Sequence, residues 1–267
     1  MPATNPTHGA PGDRLTYLGH STVLIEMAGT RLLTDPVLGH VMWSLRRRAA
    51  RIPDSWLADV DAVFISHGHF DHLDLPSLRA LRGRPLVVVP AGLGRVAQGA
   101  GLGPVHEVRV GDRLPVGGLD LEIVPAAHGR RRSPWVAAAA AVGCLISGGS
   151  TVYFAGDTDL HPAMEGLAGR VDVALLPVGG WGIGLGRGHM DPRRAAEAVA
   201  LIRPAVAVPI HWGTFSPIGL HRLMGTRFDA PGPAFAEAVA HAAPSVRVCV
   251  LAPGASLALP VRGVATA

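Results

Sequence analysis

The residues with the clearest chemical potential stand in the segment Ser-His-Gly-His-Phe-Asp-His, positions 66 to 72. Within it, His67, His69, Asp71 and His72 offer four metal-ligating side chains, directly after an apolar run at residues 62–65. Imidazole and carboxylate groups suit zinc, iron or manganese. Two alternating histidines followed by an Asp-His pair can serve two ions rather than one. The spacing therefore predicts a metal site at the end of a buried strand.

Four more candidate site residues lie farther along the chain, and three of them directly follow a strand-like run. His128 follows residues 121–125, Asp157 follows 152–156 and His211 follows 206–210, while His189 directly precedes a helix signal at Asp191. Loops that are held by a rigid sheet commonly carry chemistry. These residues are therefore candidate partners of the first motif.

Seven stretches carry a resemblance to a known family. They are residues 17–25, 33–36, 67–72, 125–128, 154–158, 176–179 and 210–215. Together they resemble the metallo-β-lactamase-fold hydrolases from about residue 15 to 217. Gly188-His189-Met190-Asp191-Pro192, with the later His-Trp-Gly-Thr-Phe stretch, is most similar to the branch containing N-acyl-phosphatidylethanolamine-hydrolysing phospholipase D. The ascorbate-6-phosphate lactonase-like proteins are close relatives of that branch.

The resemblance implies an α/β fold, an αββα sandwich of two mixed sheets face to face with helices outside. It also implies two divalent metal ions, with zinc expected and iron or manganese as alternatives. By the resemblance, His67, His69 and His128 would hold one ion, Asp71, His72 and His211 the second, and Asp157 would bridge them. Asp71 and His189 are the expected catalytic residues. His20 and Asp35 are expected to orient the ligands through hydrogen bonds.

The expected activity is metal-dependent hydrolysis. Two ions about 3.5 to 4 Å apart can share a hydroxide that serves as the nucleophile at neutral pH. A phosphodiester is the first choice of substrate, as in the phospholipase D branch, and a lactone of a small, phosphorylated or unphosphorylated metabolite is the alternative. A member of another class, a redox or non-hydrolytic metal-binding protein, stays open. The expected substrate is small or lipid-like and anionic.

Strands alternate with short helices along the chain. Strands are predicted at residues 14–18, 22–27, 31–34, 61–66, 86–89, 105–110, 113–116, 119–124, 136–146, 151–155, 171–176, 205–210 and 246–251. Helices are predicted at 75–81, 92–100, 191–202 and 232–242, and residues 37–57 are expected to form an insertion of helical character and one wall of a cleft. Trp43 in this insertion is expected to pack in the core. No composition break divides the chain, so one domain is predicted over 1–267, with a core of about 14–258.

Composition narrows the function classes. The 24 basic residues are all arginine, against 20 acidic residues, for a formal charge of +4. The clusters Arg46–Arg48 and Arg130–Arg132 are short, so nucleic acid is not an expected partner; solvated surface charge is expected, although an anionic substrate is compatible. The uncharged run from Val136 to Ala155 is broken by turn residues and predicts a hairpin rather than a membrane span. Two cysteines are expected to stay free, and a cytoplasmic location is expected.

Overall fold

The strands of the fold are numbered in chain order in the computed structural model, which describes residues 12–129, 139–180, 185–219 and 227–260. They are β1 (Arg14–Gly19), β2 (Thr22–Met27), β3 (Thr30–Thr34), β4 (Val41–Met42), β5 (Leu45–Arg47), β6 (Ala62–Phe64), β7 (Leu86–Pro90), β8 (Val105–Val108), β9 (Arg113–Val116), β10 (Leu119–Pro125), β11 (Val142–Ser147), β12 (Thr151–Phe154), β13 (Val173–Pro177), β14 (Val206–Ile210), β15 (Phe215–Pro217), β16 (Arg247–Val248) and β17 (Ser256–Ala258). The helices are α1 (Leu75–Ala80), α2 (Gly94–Gln98), α3 (Pro192–Ile202) and α4 (Pro231–Ala242). Short 3-10 helices cover Asp54–Trp56 and Pro162–Leu167.

Two seven-stranded mixed sheets form the centre of the molecule. The first has the order β17-β1-β2-β3-β6-β7-β8 and the second β16-β14-β13-β12-β11-β10-β9. Strands β13 and β14 are apolar and buried along their whole length, as parallel strands covered on both faces should be. The predicted hairpin is present, since β11 and β12 pair antiparallel.

The two sheets share one apolar core. Phe64 of the first sheet meets Phe154 of the second edge-on, with ring centroids 6.1 Å apart, among buried residues of both sheets. A second apolar layer joins α3 and α4 to the second sheet, and a third joins α1 and α2 to the first. The predicted αββα sandwich is thereby confirmed.

The helix α3 begins where the sequence predicts it. The Asp191 carboxylate accepts a hydrogen bond from the backbone N–H of Arg194 at 2.9 Å, and Pro192 occupies the first turn. The carboxylate satisfies one of the free N–H groups at the helix start, and proline brings no N–H that needs a partner. The cap fixes the end of the loop that carries His189.

The prediction of a helical insertion at residues 37–57 is wrong. The segment forms the hairpin β4–β5, which pairs with β15 in a separate three-stranded sheet, followed by one 3-10 turn. The apolar residues Val37, Met42, Leu45 and Phe215 form a small core beneath this sheet. The pairing joins segments about 170 residues apart, which no local pattern could indicate.

The bounds of the other elements differ less from the predictions. The last predicted strand shortens to Arg247–Val248, and β17, which pairs with β1, was not predicted. The predicted strand at 136–146 is observed as Val142–Ser147, and the described residues 139–141 before it are not strand. Residues 130–138, which include Arg130–Arg132 and Trp135, lie outside the described part. Both cysteines are free, Cys144 buried and Cys249 half-buried. Among the residues that the structure describes, no helix is long and apolar enough to span a bilayer.

Candidate metal centre

Strand ends bring the predicted site residues together. His67 to His72 follow β6, His128 follows β10, Asp157 follows β12 and His211 follows β14. In the second sheet β10, β12 and β14 all run in the same direction, so their carboxyl ends meet at one edge. The loop after β6 faces this edge from the first sheet. We call the resulting group the His/Asp cluster: His67, His69, Asp71, His72, His128, Asp157 and His211.

Three histidines form the first half of the cluster. His69 Nδ1 lies 3.0 Å from His67 Nε2 and 3.0 Å from His128 Nε2. Nitrogen ligands about 2.0 to 2.1 Å from a tetrahedral zinc ion lie roughly 3.3 Å from one another. Both distances are slightly shorter than that separation, so a small outward shift of the rings would let the three nitrogens bind a single ion.

Asp71, His72 and His211 form the second half. The Asp71 Oδ2 atom lies 3.7 Å from His72 Nε2 and 3.5 Å from His211 Nε2. Asp157 stands between the halves, with Oδ2 3.2 Å from His72 Nε2 and 3.9 Å from His67 Nε2. Its other oxygen, Oδ1, lies 3.2 Å from His211 Nε2. One carboxylate thus reaches both groups of ligands.

Unsatisfied atoms point into this space. Within the described residues, His72 Nε2, His211 Nε2 and Asp157 Oδ1 are buried and lack a hydrogen-bond partner of good geometry. Buried polar atoms without partners destabilise a fold by about 1 to 3 kcal/mol each, and they call for an explanation such as an ion. A donor set of imidazole nitrogens and carboxylate oxygens fits zinc, iron or manganese.

Hydrogen bonds on the outer side of the rings set the direction of their lone pairs. His128 Nδ1 lies 2.7 Å from the Gly188 carbonyl oxygen, and His211 Nδ1 lies 2.9 Å from that of Gly179. A carbonyl oxygen only accepts, so both Nδ1 atoms carry the proton. In the neutral rings, the lone pair of Nε2 therefore faces the cluster, as metal ligation needs.

Most of the charge states agree with this arrangement. His72 is the exception, because burial lowers its pKa but the charges of Asp157, Asp71 and Asp35 outweigh burial and raise the pKa well above its ordinary value, so this ring would lose a proton when it binds an ion. Burial, followed by the charge of His72, holds the pKa of His67 well below its ordinary value. Burial lowers the pKa of His128 to about 4, although Asp157 opposes the shift. Burial would raise the pKa of Asp157, but His211 and His72 hold it well below its usual range. Neutral imidazoles and ionised carboxylates are the forms that bind cations.

The predicted catalytic residue His189 lies at the open side of the cluster. Its Nε2 lies 3.3 Å from Asp157 Oδ2, and its Nδ1 lies 3.2 Å from the Gly186 carbonyl oxygen. Both partners only accept, so the ring donates twice only when it is protonated. Burial opposes that charge, but the hydrogen bond to Asp157 outweighs it and raises the pKa of His189.

The two predicted supporting residues, His20 and Asp35, lie behind the second half of the cluster. Asp35 Oδ2 accepts from His72 Nδ1 at 2.7 Å and from the Ser66 hydroxyl at 2.6 Å. His20 Nε2 lies 3.1 Å from Asp71 Oδ2. His20 and Asp35 are both buried and both have a positive φ, 58° and 32°. All ten predicted site residues thus lie in one place.

A cleft of about 450 Å³ opens onto the cluster. Its walls include Met42, Trp43, Leu45, Phe70 and Leu185, which the motifs did not single out as site residues. Trp43 is 81% exposed, so the expectation that it packs in the core is wrong. The insertion at residues 37–57 was expected to form one wall of a cleft, and its residues Met42, Trp43 and Leu45 do line this one. Trp181 lies outside the described residues.

The first arginine cluster has a structural part that the sequence did not indicate. Arg47 is 2% exposed and donates to the carbonyl oxygens of Leu18 and Val37, with its guanidinium 5.1 Å from the Phe215 ring centroid. Arg48 pairs with Asp229. Of these three arginines, Arg46 alone is exposed without a described side-chain partner, as expected for a solvated surface charge.

Fold and cluster together define a class, the metal-dependent hydrolases of the β-lactamase superfamily. The family model described as "Beta-lactamase superfamily domain" matches residues 30–212. A UPF0173 metal-dependent hydrolase of Methanopyrus kandleri is 39% identical over 213 residues, which cover 77% of this chain and 86% of that protein. One from Nitratidesulfovibrio vulgaris is 32% identical over 261 residues, 92% of this chain and 95% of the relative. The chain therefore belongs to the UPF0173 family of this superfamily.

A solved structure supports the fold assignment. A metallo hydrolase from the archaeon Ignicoccus hospitalis superimposes with a TM-score of 0.69 at 26% sequence identity. The alignment covers 92% of this chain and 98% of the archaeal protein. The similarity extends over both sheets and is not confined to the segment around the cluster.

Proposed function

We propose that the protein is a dinuclear metal-dependent hydrolase whose first substrate class is phosphodiesters. One observation carries the proposal: seven ligating side chains converge, and three of their buried atoms lack a hydrogen-bond partner within the described residues. His67, His69 and His128 would hold the first ion, Asp71, His72 and His211 the second, and Asp157 would contact both. Zinc is the expected metal.

When bound, two such cations lower the pKa of water toward about 7 and neutralise charge on a phosphoryl or carbonyl oxygen. The chain contributes the rest of the chemistry. Asp35, Gly179 and Gly188 fix the rings through Nδ1. Asp71 lies 3.1 Å from the His20 ring, which orients the carboxylate that would pass a proton toward the leaving group. His189 lines the cleft and would place a positive charge beside the substrate.

The protonated state of His189 favours an anionic substrate. Its two contacts are both acceptors, and its pKa is raised. A positive charge at the cleft wall would attract an anionic phosphoryl group more strongly than it would attract a neutral lactone. The sequence similarity to the phospholipase D branch points the same way, although the lipid itself is not carried over.

A lactone is the second candidate, and the composition of the cleft supports it. Five apolar side chains, Met42, Trp43, Leu45, Phe70 and Leu185, form much of the wall. An uncharged cyclic ester would bury its ring against such a surface with little desolvation of charge.

Metal analysis combined with an activity panel tests the proposal. The protein, purified with and without added zinc, manganese or iron, is measured for metal content and for hydrolysis of phosphodiesters and lactones. Wild type is expected to hold about two ions per chain. Asp71→Ala is expected to lose one ion and at least about a hundredfold in kcat/KM.

Asp120→Ala serves as a matched control. Asp120 lies on β10 and its carboxylate is 3.6 Å from Arg113 on the surface, so the change should leave metal content and turnover intact. One ion or none in the wild type would contradict the dinuclear proposal, as would full activity in Asp71→Ala. Turnover of lactones without phosphodiesters would shift the choice to the second candidate.

A further inference from the structure

A second cavity adjoins the cleft and holds none of the metal-ligand candidates. It has a volume of about 690 Å³, and Met42, Trp43 and Phe70 line both spaces. The rings of Trp43 and Phe70 lie 6.1 Å apart between centroids and form the ridge that separates them. The two spaces thus adjoin on either side of an aromatic pair.

The walls of this second cavity are mainly apolar. Leu38, Ile52, Leu57 and Leu75 line it and belong to the apolar layer beneath the first sheet. Of its charged groups, Arg51, Asp54, Arg79 and Arg82 are exposed, and Asp74 is half-buried with its carboxylate accepting from the Ser77 N–H at the start of α1. An apolar group can therefore be buried inside, while a polar end of the occupant reaches solvent.

The backbone at Trp43 gives an independent reason to assign the ridge a function. Met42 pairs with Leu45, so Trp43 and Ser44 form a two-residue hairpin turn, and Trp43 has φ of 52°. Such turns favour glycine or asparagine at positive φ, and a bulky residue there is an outlier. Since Trp43 is also 81% exposed, neither turn geometry nor core packing accounts for it. Strain of this kind clusters at sites that bind ligands.

We infer that the substrate carries an elongated apolar group, an alkyl or aryl chain, that crosses the Trp43–Phe70 ridge into the second cavity while its scissile group lies at the His/Asp cluster. This inference deepens the proposed function and rests on it for the placement of the scissile group. The aromatic ridge would bury part of the chain, and the apolar layer the rest. The second cavity then sets substrate length.

Binding of two phosphonates tests the inference without turnover. Methylphosphonate and decylphosphonate, the latter kept below its micelle concentration, are titrated calorimetrically into the zinc-loaded protein. Each buried methylene strengthens binding severalfold. Decylphosphonate should therefore bind wild type at least about tenfold tighter than methylphosphonate does. Two variants test the cavity: Trp43→Gly removes one ring of the ridge, and Ala80→Glu places a carboxylate in the cavity from the exposed Ala80 of α1. Each should lower the ratio of the two phosphonate affinities at least about threefold.

Folding is controlled within the same set. Glycine suits the positive φ of position 43, so the melting temperature of Trp43→Gly should match or exceed that of wild type. Val110→Ala removes an exposed apolar group far from both cavities in sequence and should keep the wild-type ratio. Equal affinity of the two phosphonates for wild type would overturn the inference, and so would a ratio that neither variant changes. Absence of phosphodiester turnover alone would count against the proposed function only.

Discussion

Asp35 controls which nitrogen of His72 faces the cluster. Its Oδ2 accepts from His72 Nδ1, and its two oxygens also accept the N–H and hydroxyl of Ser66. The ring is thereby held with Nε2 toward Asp157 and Asp71. A single buried carboxylate thus sets both the orientation and the tautomer of a proposed ligand.

Asp35→Asn tests this role. Asparagine tolerates the φ of 32° at this position, but an amide N–H facing Nδ1 would favour the tautomer protonated at Nε2. We expect the affinity for the second ion to fall about 10- to 100-fold while the first site keeps its ion. Chelator competition measures both affinities, and two unchanged affinities would rule out the role.

His20 makes the metal-free protein sensitive to acid. Burial, then the charge of His211, lowers the pKa of His20 from 6.5 to about 4. Between these values the unfolded chain binds a proton that the native state does not, so stability falls as the pH falls from about 6.5 to 4. One such group accounts for about 1.4 kcal/mol per pH unit, or about 3 kcal/mol in total.

His20→Asn should remove this dependence, since asparagine also tolerates the positive φ of 58°. Urea unfolding in the presence of a chelator, at pH values from 4 to 7, gives the slope of unfolding free energy against pH for each protein. The slope for His20→Asn should be smaller by the contribution of about one bound proton, that is, by about 1.4 kcal/mol per pH unit. Equal slopes would show that His20 is not kept neutral in the native state.

At the scale of elements, α3 holds the loop that presents His189. Asp191→Ala removes the acceptor for the Arg194 N–H and should lower the unfolding free energy by about 1 kcal/mol. For a chain of this size that corresponds to a fall of about 2 to 4 °C in melting temperature by calorimetry. Asp191→Asn keeps an N-cap acceptor and is the matched control. Equal losses in the two variants would contradict a capping role.

The elements also show what a sequence can and cannot indicate. The Asp191-Pro192 cap and the apolar run of β14 are local signals, and both elements lie where they were predicted. The β4–β5 hairpin was missed because its partner β15 is distant in sequence and because Trp43 occupies a turn position that favours glycine. A cleft wall formed by residues 37–57 was predicted, but the hairpin that presents this wall was not.

At the scale of the whole molecule, strand direction accounts for the position of the site. Asp35 follows β3 and the motif follows β6, which run parallel in the first sheet, while His128, Asp157 and His211 follow parallel strands of the second. The motifs indicated strand ends, and the family resemblance indicated which ends meet. Neither the motifs nor the resemblance could predict the length of the substrate, because the side chains that form the second cavity belong to no recognisable motif.

Because the proposed ligands come from both sheets, metal binding should stabilise the molecule as a whole. Ions present at 100 to 1,000 times their dissociation constant add about 2.7 to 4.1 kcal/mol per site. Chelation should therefore lower the melting temperature by at least about 5 °C, and zinc should restore it. Asp157→Ala should shrink this shift more than His128→Ala, because Asp157 reaches both halves of the cluster and His128 only one. Scanning calorimetry measures the shifts, with Asp120→Ala expected to behave as wild type. Equal shifts for Asp157→Ala and wild type would mean that this carboxylate does not join the two halves.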